Sequence, residues 1–349
     1  MKRSPRASLL NILLAVTMAT VFLVAVGARP ATAKGSTIEL KFAHHLPPGI
    51  DVAKDFEAWA KLVEEKTEGK VTVTLYPAES LTKAMDCYAS TRKGICDISF
   101  GAYTNEPSQF PLGSIMELPI VDWPSYEVVT RIKHALYQKF PEFRAEFKHV
   151  QLLWDWSALS RTVHTKKKLI KVPADMKGMK MIGPGEMTRV IKVLGGSPVF
   201  LLPPDWYMSL ERGVVEGCVE PYNVLFVHKV VELLPYHTDV NLGLLGFHVI
   251  MNKKKWNNLP SSVQQIMTEL RPWATQACID TQRNEIAKAK KACEGFGHNF
   301  YAPTQTEMKL WLDSVTPALE AWVKEIDAKG LPATEVFKEI RRLIKDYGK

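Results

Sequence analysis

The chain has 349 residues, 46% of them hydrophobic, and its 45 Lys and Arg against 37 Asp and Glu give a formal charge of +8. Four basic residues in the first 33 positions supply half of that excess, so the rest of the chain carries only +4, with both signs interspersed. Without basic runs interleaved with stacking aromatics, this balance excludes a nucleic-acid-binding protein as the expected class. Five scattered cysteines likewise exclude a disulfide-rich scaffold.

The first 33 residues have the features of a secretory signal peptide. Basic residues at positions 2, 3 and 6 precede a largely apolar stretch from 9 to 26, and the letters ATA at 31–33 are a small-residue cleavage pattern. We expect cleavage near Ala33 and export to the periplasm, and a single uncleaved membrane anchor is the alternative. No later stretch reaches the roughly 18 apolar residues of a membrane span.

After the signal peptide, strand and helix patterns alternate. Phe56, Trp59 and Val63 recur at helical spacing, whereas Leu40 and Phe42 lie two apart in a strand pattern. The order is strand TIELKFAHH, helix VAKDFEAWAKLVEEK, strand KVTVTLYP, helix LTKAMDCYASTRKG and strand CDISFGAY. Such alternation predicts a mainly parallel sheet with helices on its faces.

A helical stretch from 126 to 146 precedes a second α/β pattern. Its predicted strands are HVQLLWDW, SRTVHT, KGMKMIGP, VVEGCVEP and LGFHVIMN. Its predicted helices are residues 186–194, DWYMSLERG and YNVLFVHKVVELL. Gly213 and Gly217, in the stretch ERGVVEGCVEPYN, indicate positions where the backbone passes close to another part of the chain.

The last hundred residues are predicted to be helical. Residues 260–294 read as one long helix of about 50 Å, which Pro272 should kink and which should lie across both halves of the protein. Thr304 and Glu307 form the pattern of a capping box that opens another helix. A final helix should bury Val336, Phe337, Ile340 and Ile344.

No common catalytic motif is present. The sequence lacks a G-x-S-x-G elbow, an H-E-x-x-H helix, a G-x-G-x-x-G turn after a strand and a phosphate loop. The stretch MIGPGEMTR weakly resembles a nucleotide-binding loop, and an ordinary tight turn is the preferred interpretation. His44 and His45 could bind a metal, but neighbouring strand residues point to opposite faces, so a surface or loop pair is expected. We therefore expect no enzymatic activity, no cofactor and no metal.

The cysteines are expected to be free buried thiols. Cys87 and Cys96 are near enough in sequence to pair if the intervening helix end folds back. Cys278 and Cys293 are predicted to share one helix, where about 22 Å would separate them, too far for a disulfide.

Several segments in order resemble the extracytoplasmic binding proteins of TRAP transporters, the DctP family. They are LKFAHHLPPG, LVEEKTEGKVTVTLYPAESL, FPLGSIMELP, PADMKGMKMIGPG, LGGSPV, SLERGVVEG and HVIMNKKKWNNLP. The resemblance covers nearly all of residues 37–330. It implies transport rather than catalysis, although a ligand sensor for a signalling receptor and a secreted enzyme on the same fold stay open as alternatives.

The resemblance implies an α/β fold of the periplasmic-binding-protein (Venus-flytrap) type, in which two α/β domains close on one small molecule. For this chain it gives domain I as residues 34–158 and 247–286, and domain II as 159–246 and 287–303. Residues 304–349 would be C-terminal helices that pack on these domains. The implied partners are a small-molecule solute and the membrane permease subunits, and we expect a monomer.

Two residues depart from the family pattern and shift the charge of the predicted cleft in the same direction. The family holds an organic acid with an arginine in a segment KGLKIRVP, and Ile182 stands at that position. The family also often has an asparagine before the proline of GQENP, where this chain has Glu220 before Pro221. Arg161, in SRTVHTKKKLI, matches another position at which the family often keeps an arginine.

Two hypotheses about the solute follow. In the first, Arg161 binds a carboxylate or sulfonate, and Glu220 pairs with an amine of the same ligand or with Arg161. In the second, Glu220 is the main charge partner of a cationic or zwitterionic solute, and aromatic faces help to hold it. Glu220 could instead face solvent or cap the following helix. The remaining candidate binding residues are Trp154, Trp156, Trp206, Tyr222, His45, Tyr103 and Asn223, for which core packing is the alternative.

Overall fold

The computed structural model describes residues 37–47, 49–119, 123, 125–158 and 160–347. The predicted signal peptide and its cleavage site lie outside these residues. The strands are β1 (Ile38–Ala43), β2 (Val71–Tyr76), β3 (Ile98–Ala102), β4 (Val150–Ala158), β5 (Thr162–Thr165), β6 (Lys180–Ile182), β7 (Ser197–Val199), β8 (Gly217–Glu220), β9 (Tyr236–Thr238), β10 (Leu245–Asn252) and β11 (Asn299–Tyr301).

Helices cover much of the remaining chain. They are α1 (Asp51–Lys66), α2 (Cys87–Lys93), α3 (Tyr126–Lys139), α4 (Pro141–Ala145), α5 (Met187–Val193), α6 (Trp206–Glu211), α7 (Tyr222–Val227), α8 (Lys253–Asn257), α9 (Ser261–Glu269), α10 (Arg271–Gly295), α11 (Gln305–Ala328) and α12 (Ala333–Tyr347). Short 3₁₀ turns, among them Gly113–Glu117, join some of these elements.

The first sheet, sheet A, has the strand order β2-β1-β3-β10-β4. β1 and β3 are parallel, but β10 runs antiparallel to both of its neighbours. The parallel arrangement predicted for the first half is thus confirmed for β1 and β3, and β10 is the strand that departs from it. β10 arrives from the second half of the chain, so no local β-α-β connection sets its direction.

The second sheet, sheet B, has the order β11-β9-β5-β8-β6-β7. Parallel pairs at β11/β9 and β8/β6/β7 are joined through β5, which is antiparallel to β8 and β9. Gly217 is needed where β8 meets β5, because a Cβ atom there would lie 2.2 Å from the carbonyl oxygen of His164. Gly213 instead has φ = +72° with open space around it, so it serves a turn.

The predicted amphipathic patterns bury the expected residues. Leu40 and Phe42 of β1 and Phe56, Trp59 and Val63 of α1 are all buried. The α11 capping box is also present, since the Thr304 hydroxyl accepts from the Glu307 N–H and the Glu307 carboxylate accepts from the Thr304 N–H. In α12, Val336 and Ile340 are buried, while Phe337 and Ile344 are half-buried against the same core.

Helix ends differ from the predictions where the backbone conformation changes. The helix predicted for YNVLFVHKVVELL ends at Val227, because Lys229 adopts φ = +54° and only a short 3₁₀ turn follows. The stretch from 126 to 146 breaks at Phe140, immediately before Pro141 begins α4. The predicted helix of residues 260–294 is divided at Leu270 into α9 and α10, with Pro272 in the first turn of α10, where proline is tolerated.

The helix α10 contacts elements on both sides of the molecule, as the bridging prediction required. It packs against β4 and α1, which belong to the side of sheet A, and against α7, which follows β8 of sheet B. Its 25 residues give a length of about 37 Å. Helix α11 also contributes to two cores, through Trp311 and Val315 on one side and Leu319 and Trp322 on the other.

The chain also crosses between the sheets in two extended segments that pair with each other. The Arg161 N–H donates to the Gly243 carbonyl oxygen at 3.0 Å, and the Leu242 N–H donates to the Arg161 carbonyl oxygen at 3.1 Å. The described residues from 39 to 347 form one compact unit. The predicted domain boundaries therefore stay a prediction, although each sheet takes most of its strand residues from one predicted domain.

All five cysteines lie in the described part of the chain and are free and buried. The Cys87 thiol lies 3.1 Å from the Phe100 carbonyl oxygen, and the Cys96 sulfur lies 3.4 Å from the Thr91 hydroxyl. These separate partners confirm the expectation of buried thiols and leave the Cys87–Cys96 disulfide unformed.

Candidate functional site

Arg161 lies at the crossing between the two sheets and presents an unused hydrogen-bonding edge. Its side chain has no exposed surface. Nη1 lies 3.5 Å from the Leu244 carbonyl oxygen, while Nε and Nη2 have no partner among the described residues. The Nε and Nη2 protons point in the same direction, which is the geometry that receives both oxygens of a carboxylate. The free edge is thus suited to a carboxylate.

Glu220 ends β8 and is buried, with 3% of its surface exposed. Its Oε1 atom has no partner among the described residues. The interpretation of Glu220 as a solvent-exposed residue was therefore wrong. The following helix has Pro221 at its N-cap without any side-chain cap, so Glu220 does not cap it either.

A second carboxylate, Glu117, joins these two residues and was not predicted from the sequence. It is fully buried at the end of the 3₁₀ turn Gly113–Glu117. Oε1 accepts from the Thr104 N–H at 3.1 Å and the Gly246 N–H at 3.5 Å, while Oε2 has no partner in the described part of the chain. The only sequence signal was one carboxylate inside the otherwise uncharged segment FPLGSIMELP.

Burial perturbs both carboxyl groups strongly. It raises the pKa of Glu220 to about 7, although the nearby charge of Arg161 opposes the shift and the charge of Glu117 adds to it. Burial likewise raises the pKa of Glu117 to about 7 against the opposing charge of Arg161. Fully ionised, the three groups would carry a net charge of −1. Near neutral pH this cluster can therefore hold or release a proton at little cost.

Residues from both sheets approach each other beside this cluster. A Cβ atom on Gly185, in the loop after β6, would lie 2.3 Å from the Thr104 hydroxyl oxygen, so the two segments are in contact. The hydroxyls of Thr104 and Ser157 are buried without a partner among the described residues. Unpaired buried polar groups are uncommon in native proteins. The Thr104 N–H donates to Glu117 and the Ser157 hydroxyl lies against Gly246, so both unpaired hydroxyls adjoin the carboxylate cluster, as expected of a polar ligand site.

The predicted aromatic residues fall into separate environments. Trp154 is buried among Phe42, Phe56 and Trp59, an aromatic core of sheet A. Trp156 stacks against Phe100 and Phe247, which also stack on each other, and its Nε1–H donates to the Gln282 side chain at 2.7 Å.

Two further predicted residues belong to the core beside sheet B. Ile182 and Trp206 pack together with Leu210 and Val215. The Trp206 Nε1–H also donates to the Leu201 carbonyl oxygen at 3.1 Å. Ile182 thus contributes apolar packing at the position where the resemblance implies an arginine.

The remaining candidates lie near other groups. The Tyr103 hydroxyl lies 2.9 Å from that of Tyr137, and its ring contacts Gly113 and Gly246, which adjoin the carboxylate cluster. His45 stacks on Phe100 at 5.0 Å. His44 and His45 follow β1 in a loop, as expected, but neither is exposed, so the surface part of that expectation was wrong.

Tyr222 and Asn223 form hydrogen bonds with residues outside the Arg161 cluster. The Tyr222 hydroxyl donates to Asp239 at 2.6 Å, and the Asn223 amide donates to Glu285 at 3.2 Å. Asn223 also lines an open groove of about 370 Å³ that continues along Phe226, Val227 and α10.

Known proteins with the same organisation are similar to this chain over most of its length. The profile of the bacterial extracellular solute-binding proteins, family 7 (DctP), matches residues 42–325. The C4-dicarboxylate-binding periplasmic protein DctP of Rhodobacter capsulatus is 26% identical over 305 residues, covering 85% of this chain and 90% of that protein.

Two solved structures support the same relationship. A marine metagenome TRAP solute-binding protein specific for aromatic acid ligands, co-crystallised with 3-hydroxybenzoate, is 25% identical with a TM-score of 0.82, covering 90% of this chain and 100% of its own. A TRAP solute-binding protein of Rhodoferax ferrireducens with copurified benzoate is 25% identical with a TM-score of 0.81, covering 89% and 98%.

Among the described residues, none of the helices combines the length and apolar character needed to cross a membrane. The fold of two mixed sheets, the buried polar cluster beside their crossing segments and the profile match over most of the chain agree with one another. This protein belongs to the bacterial extracellular solute-binding proteins of family 7, the DctP family that serves TRAP transporters.

Proposed function

We propose that this protein is the periplasmic binding subunit of a TRAP transporter and that its solute is a small zwitterion, an amino-carboxylate. It captures the solute at Arg161, Glu220 and Glu117 and delivers it chemically unaltered, as a monomer, to the membrane permease. The observation that carries the proposal is the free Nε–Nη2 edge of Arg161 beside two carboxyl oxygens without partners.

The charge balance favours a zwitterion over a simple cation or a simple acid. A cation would leave the guanidinium edge of Arg161 buried and unpaired, which is costly for a charged donor. A simple acid would add a negative charge beside two buried carboxyls, and like charges about 4 Å apart repel by roughly 4 kcal/mol at an effective dielectric of 20. An amino-carboxylate supplies an acceptor for Arg161 and an ammonium donor for Glu220.

An aromatic or hydroxy acid is the second candidate. Two similar binding proteins hold 3-hydroxybenzoate and benzoate. Here Phe247, which stacks on Trp156, follows directly after Gly246, whose N–H faces Glu117. Such an acid would bind Arg161 only if Glu220 and Glu117 took up protons, which pKa values of about 7 permit at mildly acidic pH.

Matched ligands that differ in one substituent distinguish these candidates. Phenylglycine, mandelate and phenylacetate carry an ammonium, a hydroxyl and a hydrogen on the same carbon, and alanine, lactate and propionate form a smaller series. Benzylamine, without a carboxylate, is the control for a cation. Thermal melts should show stabilisation by the amino member of a series, since a ligand at 100 times its dissociation constant adds roughly 2.7 kcal/mol.

The melts also define what would contradict the proposal. Stabilisation by benzylamine but not by the carboxylates would exclude Arg161 as the anchor. Equal stabilisation by the amino and unsubstituted members would exclude Glu220 as a partner of the ammonium. Recovery of an altered compound after incubation would show an enzyme instead of a binding protein.

A further inference from the structure

A line of histidines runs from Glu220 away from the carboxylate cluster. His164 Nε2 lies 2.8 Å from the Glu220 carbonyl oxygen, and His164 Nδ1 lies 2.7 Å from His237 Nδ1. His237 Nε2 lies 3.0 Å from His298 Nδ1. The thiol of Cys293 completes the group, and one ligand atom each of His237, His298 and Cys293 lies within 4.8 Å of the other two.

The backbone carbonyl of Glu220 sets the direction of every hydrogen bond along this line. A carbonyl oxygen can only accept, so His164 Nε2 donates to it. In a neutral imidazole the other nitrogen then accepts, so His237 Nδ1 donates to His164 Nδ1. The Nε2 atom of His237 therefore accepts from the Nδ1–H of His298, and a metal bound to both atoms would require that proton to leave Nδ1.

We propose that His237, Cys293 and His298 form a binding site for a thiophilic divalent transition metal, Zn²⁺ in the first place. Two imidazoles and one thiolate are ligands that Zn²⁺ prefers, with Zn–N near 2.0–2.1 Å and Zn–S near 2.3 Å. Tetrahedral bonding at these lengths separates ligand atoms by about 3.3–3.7 Å. The two histidine nitrogens, 3.0 Å apart, are already close to that spacing.

The surroundings have the properties of a built site. His237 and Cys293 are buried, and His298 is half-exposed, so an ion could enter from its side and keep one position for water. Phe300 and Tyr222 enclose the His237 ring, with centroids 4.9 and 5.1 Å away. His164 then serves as the outer partner that holds the tautomer of a ligating histidine, an arrangement usual in zinc sites.

A metal here would join three separate parts of the chain. His237 belongs to β9, Cys293 to the last turns of α10, and His298 to the turn before β11. The ion would therefore fix the end of the bridging helix to the edge of sheet B. This proposal does not depend on the identity of the solute, because its ligands are distinct from the Arg161 cluster.

The test uses the purified protein after treatment with a chelator and titrates it with Co²⁺ and Zn²⁺. Co²⁺ should produce sulfur-to-metal charge-transfer absorption together with the intense d–d bands of tetrahedral cobalt, saturating at one equivalent, and Zn²⁺ should displace it. Zn²⁺ should also raise the melting temperature. Cys293→Ala and His298→Ala should each weaken binding by about 100-fold or more, since even outer partners of metal ligands are worth roughly 10–100-fold.

Two matched variants provide the controls. Cys278→Ala removes another buried thiol of α10, and His149→Ala removes an exposed histidine, so neither should change the titration. The half-exposed position of His298 makes its replacement tolerable to the fold, which keeps the test valid if Cys293→Ala unfolds. Absence of the sulfur charge-transfer band in the parent protein, or binding by His298→Ala equal to that of His149→Ala, would overturn the proposal.

Discussion

The replacement Glu220→Gln should change the preference of the protein between an amino-carboxylate and the matching simple acid. Glu220 has a pKa of about 7, so it is mostly ionised at pH 8.5. A glutamine keeps the size of the side chain but cannot form the charge-assisted bond to an ammonium, a loss of about 1.5–3 kcal/mol or roughly 10–150-fold in affinity. The amino-carboxylate should therefore bind more weakly to the variant at this pH.

The same replacement should strengthen binding of the simple acid. An anion at Arg161 raises the pKa of the adjacent carboxyls, so its binding takes up protons. For each proton that binding takes up, the affinity falls by up to tenfold with every pH unit above the pKa, which is about 1.4 kcal/mol of binding free energy. Between pH 7 and 9 the parent protein should thus lose up to about 100-fold per proton. Glu220→Gln removes one of the two titrating groups and should flatten this slope.

Isothermal titration of phenylglycine and phenylacetate, or of alanine and propionate, from pH 6 to 9 measures both effects. Glu106→Gln is the matched control, because Glu106 is also buried with a pKa raised to about 7, by burial and by Asp86 rather than through the Arg161 cluster. If Glu220→Gln shifted both ligands in the same direction and by the same factor, the assignment of Glu220 to the ammonium would be wrong. The assignment would also be wrong if Glu106→Gln changed the pH dependence of simple-acid affinity as much as Glu220→Gln does.

Three further predictions concern the charged interior. Arg161→Lys keeps the charge but loses the two-pronged edge, so calorimetry should show carboxylate affinity reduced at least tenfold, by about 1.5–3 kcal/mol. Glu117→Gln should raise the melting temperature at pH 8 but not near pH 5. Between pH 4.5 and 7 the unfolded chain releases the Glu117 proton while the folded protein, with a pKa of about 7, keeps it. The parent protein therefore loses up to about 3 kcal/mol of stability as the pH rises through this range, and the glutamine variant does not. Lys133 and Asp155 form a buried ion pair at 2.9 Å, so urea unfolding of Lys133→Met should show a loss of about 3–5 kcal/mol, largely recovered when Asp155→Leu is added.

Most of the secondary structure could be predicted from local sequence patterns, whereas strand pairing between distant parts of the chain could not. Alternation in β1 and helical spacing in α1 are encoded within a few residues, so those elements could be located from the letters alone. The strand β10 pairs with β3, far away in the sequence, and its antiparallel direction has no local signature. The three-residue strands β7, β9 and β11 are too short to show alternation.

Residues of the candidate site could be predicted only where a charged residue interrupted an apolar pattern or differed from the family pattern. Glu220 and Arg161 met that condition, and both are buried as a ligand site would require. Glu117 lies more than forty residues before Arg161 in the sequence, and only folding brings its charge near. The histidine line was missed for the same reason: its members come from β5, β9 and the turn before β11, with no metal-ligand spacing in the sequence.

Glu220 contributes to both the Arg161 cluster and the line of histidines, so its position at the end of β8 affects two sites. Its carboxylate acts on the Arg161 cluster, while its carbonyl oxygen fixes the protons of His164 and, through it, those of His237. A substitution such as Glu220→Gln alters only the first of these, because the carbonyl remains. Solute selectivity in that variant should therefore change while Co²⁺ binding at His237 stays the same. Loss of both would mean that the replacement displaces the end of β8. The change in selectivity could then not be assigned to charge.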